Sequence, residues 1–174
     1  MTANTNMEHT HKGVGLFDSL RHDHRGMSTV LDQMKSASPE EKTELLRRLE
    51  MAFTIHADSE ERYFYLRLRR FSGLMELVHS ALAEHDTIRE LMQQLAEVDQ
   101  ETVQGSVAWQ ALFSDLEYAV NQHVHKEEQL IFPRARRQLS PTELNHIKDQ
   151  IEDEQRKTRP LHQSGEGLRP GTGT

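Results

Sequence analysis

The 174-residue chain contains no cysteine. This absence excludes disulfide bonds, thiolate zinc sites, iron–sulfur clusters and a cysteine nucleophile. No apolar run in the sequence approaches the ~18 residues that are typical of a membrane span. The first residues, MTANTNMEHTHKG, also lack the apolar stretch of a secretory signal. We therefore expect a cytoplasmic protein that does not act at a membrane.

Positive charge is also scarce. The chain has 21 Lys and Arg against 28 Asp and Glu, which gives a formal net charge of −7. Sequence-independent binding of nucleic acid requires a basic face, so we expect no nucleic-acid partner. The length of the chain suggests a single domain.

Histidine, by contrast, is abundant. The 11 histidines outnumber the 6 Phe, 1 Trp and 3 Tyr taken together. Because neutral imidazole is a common metal ligand, this excess indicates either surface residues or a metal site. The positions of the histidines along the helices distinguish these two interpretations.

The middle of the chain has a helical pattern. Residues 1–13 are polar without a period and residues 158–174 are rich in Gly, so we predict that both are disordered and flank one domain at 14–157. No stretch alternates with the two-residue period of a strand. Three short breaks separate four long helices, predicted at 15–36, 39–71, 73–98 and 106–138, before a short fifth helix that ends near 157. Short connections predict an all-α, antiparallel up-down-up-down four-helix bundle with a short C-terminal fifth helix.

Several helix ends carry recognisable signals. Residues 38–41 (SPEE) and 140–143 (SPTE) each combine a capping-box Ser and Glu with Pro at the first helical position. The basic run at 67–70 followed by Ser72 and Gly73 predicts a helix end, because cations and Gly favour helix C-termini.

Polar residues interrupt the apolar stripe of every bundle helix. An ionised carboxylate in a low-dielectric interior costs several kcal/mol unless it is compensated, and the stripes carry no Lys or Arg at that level. A metal cluster would supply the compensating charge. At the helical spacing of apolar residues, the stripes comprise Leu16, Leu20, His24, Met27, Leu31 and Met34; Leu49, Phe53, His56, Glu60, Phe64, Leu68 and Phe71; Leu74, Val78, Ala81, His85, Ile88, Met92 and Leu95; and Trp109, Phe113, Leu116, Val120, His123, Glu127 and Leu130.

The polar positions belong to an internal repeat. Residues 56–65 (HADSEERYFY) and 123–132 (HVHKEEQLIF) align without gaps as His-x3-Glu-Glu, and the acid-His pairs at 23–24 and 84–85 also align. A duplicated helical hairpin places two equivalent metal sites at its pseudo-two-fold axis. Inward-facing ligands on neighbouring helices are how bundles build di-iron carboxylate centres.

The ordered series of these residues resembles the hemerythrin-like, or HHE cation-binding, domain of bacteria over about residues 15–138. The resemblance implies a four-helix bundle that holds two non-haem Fe ions, bridged by two carboxylates and by an oxo or hydroxo group. It also implies roles for the individual residues. The terminal ligands would be His24, His56, His85 and His123, and the bridging carboxylates would be Glu60 and Glu127.

The sequence departs from the oxygen-carrying hemerythrins in the third helix. Those proteins have His-x3-His there, whereas the position four residues before His85 is Ala81. One coordination position is therefore left for solvent, an exogenous ligand or another side chain. Tyr63 and Tyr65 follow Glu60 closely, and either approach the metal or fill the core.

The carboxylate of the fourth helix has two candidates. The oxygen carriers use His-x4-carboxylate at this point, which Glu128 would supply. At about 100° per residue, Glu127 lies about 40° from His123 around the helix and Glu128 about 140°. The stripe geometry therefore favours Glu127 as the bridge.

Three functions are compatible with the sequence. A di-iron centre of this family would bind, sense or scavenge O2, NO or peroxide, and whether it turns over peroxide is left open. A ferritin-like iron oxidase or storage bundle would use Glu-x-x-His motifs, which occur at Glu76/His79 and Glu143/His146, but off the stripe and in the fifth helix. A metal-free helical interaction module would satisfy its polar stripe residues by internal hydrogen bonds. No protein partner is indicated.

The stripes predict which substitutions affect metal binding. We expect Glu60→Ala or Glu127→Ala to remove bound metal, because each deletes a carboxylate from the interrupted stripe. His22→Ala and His125→Ala are matched controls, since both histidines are off the stripes and should face solvent. Metal content after purification, measured by elemental analysis, checks this expectation, and equal metal loss in all four variants would contradict it.

Overall fold

The computed structural model describes residues 15–98 and 107–158. Residues 1–14, residues 159–174 and the predicted break at 99–106 lie outside the described residues. The domain limits of 14–157 therefore stay a prediction.

The described residues form helices and no strand. Two π-helical turns, π1 (Glu60–Tyr65) and π2 (Glu127–Ile131), are continuous with the α-helices on both sides of them. The four bundle helices are thus α1, α2–π1–α3, α4 and α5–π2–α6, and α7 is the fifth helix. The α-helices are α1 (Leu16–Ser36), α2 (Pro39–Ser59), α3 (Leu66–Leu68), α4 (Ser72–Glu97), α5 (Val107–Lys126), α6 (Phe132–Gln138) and α7 (Pro141–Thr158).

The helices pack as consecutive pairs. α1 packs along α2 and α4 packs along α5, while α2 also contacts α4 and α7 lies against α1, α2 and π1. The predicted all-α bundle with a fifth helix is therefore confirmed. No helix in the two described ranges is both long enough and apolar enough to traverse a membrane.

The capping signals act as predicted at two helix starts. Ser38 accepts a hydrogen bond from the backbone N–H of Glu41, whose carboxylate accepts from the backbone N–H of Ser38 at 2.8 Å. Ser140 and Glu143 make the same reciprocal pair. The helix end predicted near the basic run is present, because α3 ends at Leu68 and a turn follows it. Gly73 does not terminate that helix, since α4 already begins at Ser72 and no described glycine has a positive φ.

A buried polar layer separates two apolar clusters. One cluster contains Met27 and Phe53, and the other contains Leu20 and Phe64, so each helix passes from one cluster to the other through a polar residue. Burial of each large apolar side chain stabilises the fold by about 1.5–3 kcal/mol. The two clusters therefore stabilise the bundle on both sides of the polar layer.

Each π turn brings two consecutive residues into the core. Phe64 and Tyr65 are both buried in π1, and Ile131 at the end of π2 is buried together with Phe132, the first residue of α6. The prediction of Leu130 as a stripe residue is consequently wrong, because Leu130 is 40% exposed. A regular α-helical period does not contain the extra residue of a π turn.

Proline does not explain both π turns. Pro133 follows π2 in the first turn of α6, where a regular α-helix would bring its ring against the carbonyl of the residue four before it. The equivalent position of the first repeat is Leu66, which has an ordinary backbone N–H, and π1 forms there nonetheless. The shared feature of the two turns is instead the Glu-Glu pair at their start.

The observed register can be tested with two neighbouring residues. We expect Ile131→Ala to lower the free energy of unfolding by about 2–5 kcal/mol, because it leaves a cavity in the core. Leu130→Ala should change it by less than about 0.5 kcal/mol, as is usual at exposed positions. Urea unfolding of both variants measures the difference, and a larger loss for Leu130→Ala would contradict the observed register.

Candidate metal centre

The six residues predicted as metal ligands lie together in the polar layer. Their side chains come from all four bundle helices, and each residue is at most 1% exposed. α1 contributes His24 and α4 contributes His85. The remaining four are the two His-x3-Glu pairs, His56 with Glu60 and His123 with Glu127.

Each buried carboxylate contacts two imidazoles. Oε2 of Glu127 lies 3.0 Å from Nε2 of His24 and 3.6 Å from Nε2 of His123. Each carboxylate therefore meets one imidazole from its own repeat and one from the other repeat.

The second carboxylate repeats this arrangement. Oε2 of Glu60 lies 3.3 Å from Nε2 of His56 and 3.7 Å from Nε2 of His85. The two halves of the centre meet where Nε2 of His85 lies 3.2 Å from Nε2 of His123. All four Nε2 atoms consequently face one small volume.

Several of these inward-facing atoms have no hydrogen-bond partner among the described residues. They are Nε2 of His24 and of His56, both carboxylate oxygens of Glu60, and Oε2 of Glu127. Each unsatisfied buried group costs about 1–3 kcal/mol, which disfavours a closed hydrogen-bond network as the reason for the layer. A set of metal ligands made of imidazole and carboxylate groups suits non-haem iron and similar transition metals.

Two overlapping groups of ligand atoms could hold a metal ion. Within each group the potential ligand atoms lie within 4.8 Å of one another. His123 belongs to both groups, so the two positions are adjacent. One group consists of His24, His56, His123 and Glu127, and the other consists of Glu60, His85 and His123.

Four further acidic residues surround the imidazoles. The sequence analysis considered one of them, Glu128, as an alternative bridge and assigned no role to the other three. Each lies beside the Nδ1 atom of one histidine. Glu128 and Glu61 form hydrogen bonds with Nδ1, which fix the rings of His24 and His85 with Nε2 toward the centre. Asp23 and Glu84 lie at ion-pair distance from His56 and His123 without forming a hydrogen bond. The sequence repeat contains all four of these residues, as the acid directly before His24 and His85 and as the second Glu of each Glu-Glu pair. The Nδ1 contacts are His24–Glu128 at 2.8 Å, His56–Asp23 at 3.6 Å, His85–Glu61 at 2.8 Å and His123–Glu84 at 3.4 Å.

The two candidate carboxylates of the fourth helix have different places. Glu127 is buried at the centre, whereas Glu128 is partly exposed and binds the outer side of His24. Consecutive residues lie about 100° apart around a helix, so they cannot share one face.

Each outer carboxylate has a polar partner on its solvent side. The partner of Asp23 is a neutral amide, whereas the partners of the other three carboxylates are cations that partly neutralise them. The partners are Arg21 for Glu128 at 3.6 Å, Arg89 for Glu61 at 2.9 Å, Lys126 for Glu84, and Gln155 for Asp23 at 3.1 Å.

The charges of the centre shift its pKa values. Burial alone would lower the pKa of His24, but contact with Glu127 outweighs it and raises the pKa. The pKa of His56 is also raised despite burial, chiefly by the charge of Glu60. Burial and the charge of Glu127 raise the pKa of Glu60. Metal ligands must be deprotonated, so metal binding here competes with protons.

Tyr65 makes the two halves of the centre unequal. Its hydroxyl donates a hydrogen bond of 2.6 Å to Oε1 of Glu127, and its ring stacks on His85 at 5.6 Å. Phe132 occupies the equivalent position of the second repeat and stacks on His24 at 6.0 Å, but it has no hydroxyl. Burial and the charge of Glu127 raise the pKa of Tyr65 well above its usual value, so it remains a donor.

The other histidines that the sequence singled out are not at the centre. His22 and His125 are exposed, as their positions off the stripe predict. Glu76, His79 and His146 are also exposed, so the two Glu-x-x-His motifs of a ferritin-like site do not face the bundle interior. Tyr63 binds Glu154 of α7 at 3.2 Å instead of entering the centre.

The fold and the buried His/Glu layer together define a metal-binding helical bundle. A family model described as the Hemerythrin HHE cation binding domain matches residues 7–135. The chain belongs to this family, and the resemblance seen in the sequence is confirmed.

A solved structure shows the same fold. It is a hemerythrin HHE cation binding domain-containing protein from Mycobacterium kansasii, with 18% sequence identity and a TM-score of 0.71. The similarity covers 84% of this chain and 88% of that chain. No curated protein matches the sequence.

The hydrogen bond of Tyr65 leads to a stability prediction. We expect Tyr65→Phe to lower the free energy of unfolding of the metal-free protein by about 1–3 kcal/mol, because a buried carboxylate oxygen loses its donor. Tyr118→Phe is a matched control, since Tyr118 is 67% exposed. Chemical unfolding in the presence of a chelator measures both, and equal stability of the two variants would contradict the contribution of this bond.

Proposed function

We propose that this protein binds two non-haem iron ions in the polar layer and binds, senses or scavenges O2, NO or peroxide there. The observation that carries the proposal is the convergence of four Nε2 atoms on two buried carboxylates whose inward oxygens largely lack partners. A pair of cations would satisfy these atoms and compensate both carboxylates. Membership of the cation-binding family supports the same conclusion.

The two overlapping groups of ligand atoms suggest how the ions are shared. One ion would be held by the group of His24, His56 and Glu127, and the other by the group of Glu60 and His85, with His123 adjacent to both. In this proposal Glu60 and Glu127 bridge the ions, because each carboxylate contacts imidazoles from two different helices.

An open coordination position supports binding of a small ligand. Ala81 stands where a fifth histidine would stand, and it is buried in the core with only a methyl side chain. Tyr65 is the additional polar group near this part of the centre, and its hydroxyl is engaged with Glu127. No imidazole within residues 15–98 and 107–158 fills the position, which leaves it for an exogenous ligand.

The residues of the chain position and protect the centre. Bound iron would supply the redox and ligand-binding chemistry that O2, NO or peroxide requires. The outer carboxylates of Glu128 and Glu61 hold two of the imidazole rings with Nε2 inward. The apolar clusters on both sides exclude water, which strengthens electrostatic interactions within the layer.

Iron stoichiometry with optical spectra tests the proposal. After iron-replete expression we expect two iron ions per chain and an oxo-bridged di-iron absorption in the near ultraviolet. Successive addition of O2, NO and peroxide should change the spectrum for the ligand that the centre accepts, and consumption of peroxide would show turnover. Less than one iron per chain with an unchanged fold would overturn the proposal and favour a metal-free module.

A further inference from the structure

The fifth helix, α7, packs against the side of the bundle. Ile147 and Ile151 of α7 are each 1% exposed and belong to the same apolar cluster as Leu20 and Phe64. Glu154 accepts hydrogen bonds from Arg62 at 2.6 Å and from Tyr63 at 3.2 Å. The helix therefore has a defined position relative to π1.

α7 also extends to the metal centre through one side chain. Nε2 of Gln155 donates a hydrogen bond of 3.1 Å to Oδ2 of Asp23, and the same Oδ2 atom lies 3.6 Å from Nδ1 of His56. Gln155 thus holds a carboxylate that lies at ion-pair distance from one of the four imidazoles. This chain of contacts links the surface helix to the buried layer.

The equivalent link in the second repeat is different. Glu84 aligns with Asp23 and lies at ion-pair distance from His123, but its partner is Lys126 of α5, inside the four-helix bundle. The partners of Glu61 and Glu128, Arg89 and Arg21, also come from bundle helices. Within the part of the chain that the structure describes, Asp23 is the one outer carboxylate that hydrogen-bonds a side chain of α7.

The solvent side of this link is open. A cleft of about 410 Å³ between α1 and α2 is lined by Asp23, His56, Gly26 and Gln155. The side chain of Asp23 is 23% exposed, so water in the cleft would compete for its carboxylate if Gln155 moved away. Docking of α7 therefore holds in place the carboxylate that lies 3.6 Å from Nδ1 of His56.

We propose that Gln155 is a positioning residue for His56 and that docking of α7 and metal binding at the centre stabilise each other. The inference rests on the proposed metal-binding function. α7 begins at Pro141, beyond the residues 7–135 that match the family model. The family match itself therefore assigns no role to α7.

Co2+ binding to the full-length protein tests the positioning role. We expect Gln155→Ala to lower the Co2+ affinity about 10-fold, the lower end of the usual effect of losing an outer partner of a ligand. Gln155→Glu retains the size of the side chain but turns a carboxylate toward Asp23, so its affinity should fall at least as far. Asp149→Ala, at an exposed position of α7, should bind Co2+ as the wild type does.

Hydrogen exchange in α7 tests the reciprocal effect. Coupling of two equilibria is mutual, so Co2+ should slow amide exchange across Pro141–Thr158 in the wild type, and this slowing should disappear in Gln155→Ala. Lys126→Ala is the matched control on the other repeat. Lys126→Ala should weaken Co2+ binding because Glu84 loses its cationic partner. At a saturating concentration of Co2+, amide exchange in α7 of this variant should still be slowed as in the wild type.

The outcomes separate the inference from the proposed function. If the wild type binds neither iron nor Co2+, both are overturned. If the wild type binds metal but both Gln155 variants match its affinity, or if exchange in α7 does not respond to Co2+, the inference alone is overturned. Reduced affinity in both Gln155 variants together with loss of the exchange response in Gln155→Ala supports it.

Discussion

The burial of two carboxylates at the middle of a helical bundle is the constraint on which the rest of this structure depends. Glu60 and Glu127 are both 0% exposed, and an uncompensated buried charge costs several kcal/mol. The structure answers with alternating layers, in which imidazoles surround the carboxylates, outer carboxylates surround the imidazoles, and Arg, Lys or Gln side chains face solvent. Each layer supplies the hydrogen bonds or opposite charge that the polar layer inside it requires.

The helical bundle and the inward-facing residues could be predicted because both depend on local periodicity. A stripe at 3–4 residue spacing identifies His24 or Glu60 as buried without knowledge of any neighbouring helix. The capping boxes at Ser38 and Ser140 are equally local, and the structure contains both. Prediction from one sequence is adequate for features of this kind.

The features that the sequence did not reveal depend on contacts between distant segments or on a broken period. The π turns insert one residue, so Ile131 takes the place predicted for Leu130. The outer role of Glu61 requires His85 of another helix, and no helical period relates the two. The repeat displayed Glu61 and Glu128 as aligned letters, but only the packing shows which ring each one orients.

The duplication is imperfect at functionally important points. Tyr65 has a hydroxyl where Phe132 has none, so one inner carboxylate is held by a neutral donor and the other is not. On the outside, Lys126 of the bundle supports one half while Gln155 of α7 supports the other. These two differences make the halves of the centre chemically distinct although the ligand pattern is repeated.

Each inner carboxylate contacts an imidazole of the other repeat, so the centre requires both hairpins. Glu127 of the second repeat contacts His24 of the first, and Glu60 of the first contacts His85 of the second. Neither hairpin alone contains a complete environment for its own carboxylate. Contacts between residues so far apart in sequence carry a loop-closure cost and form slowly. The polar layer is therefore complete only when both hairpins have come together.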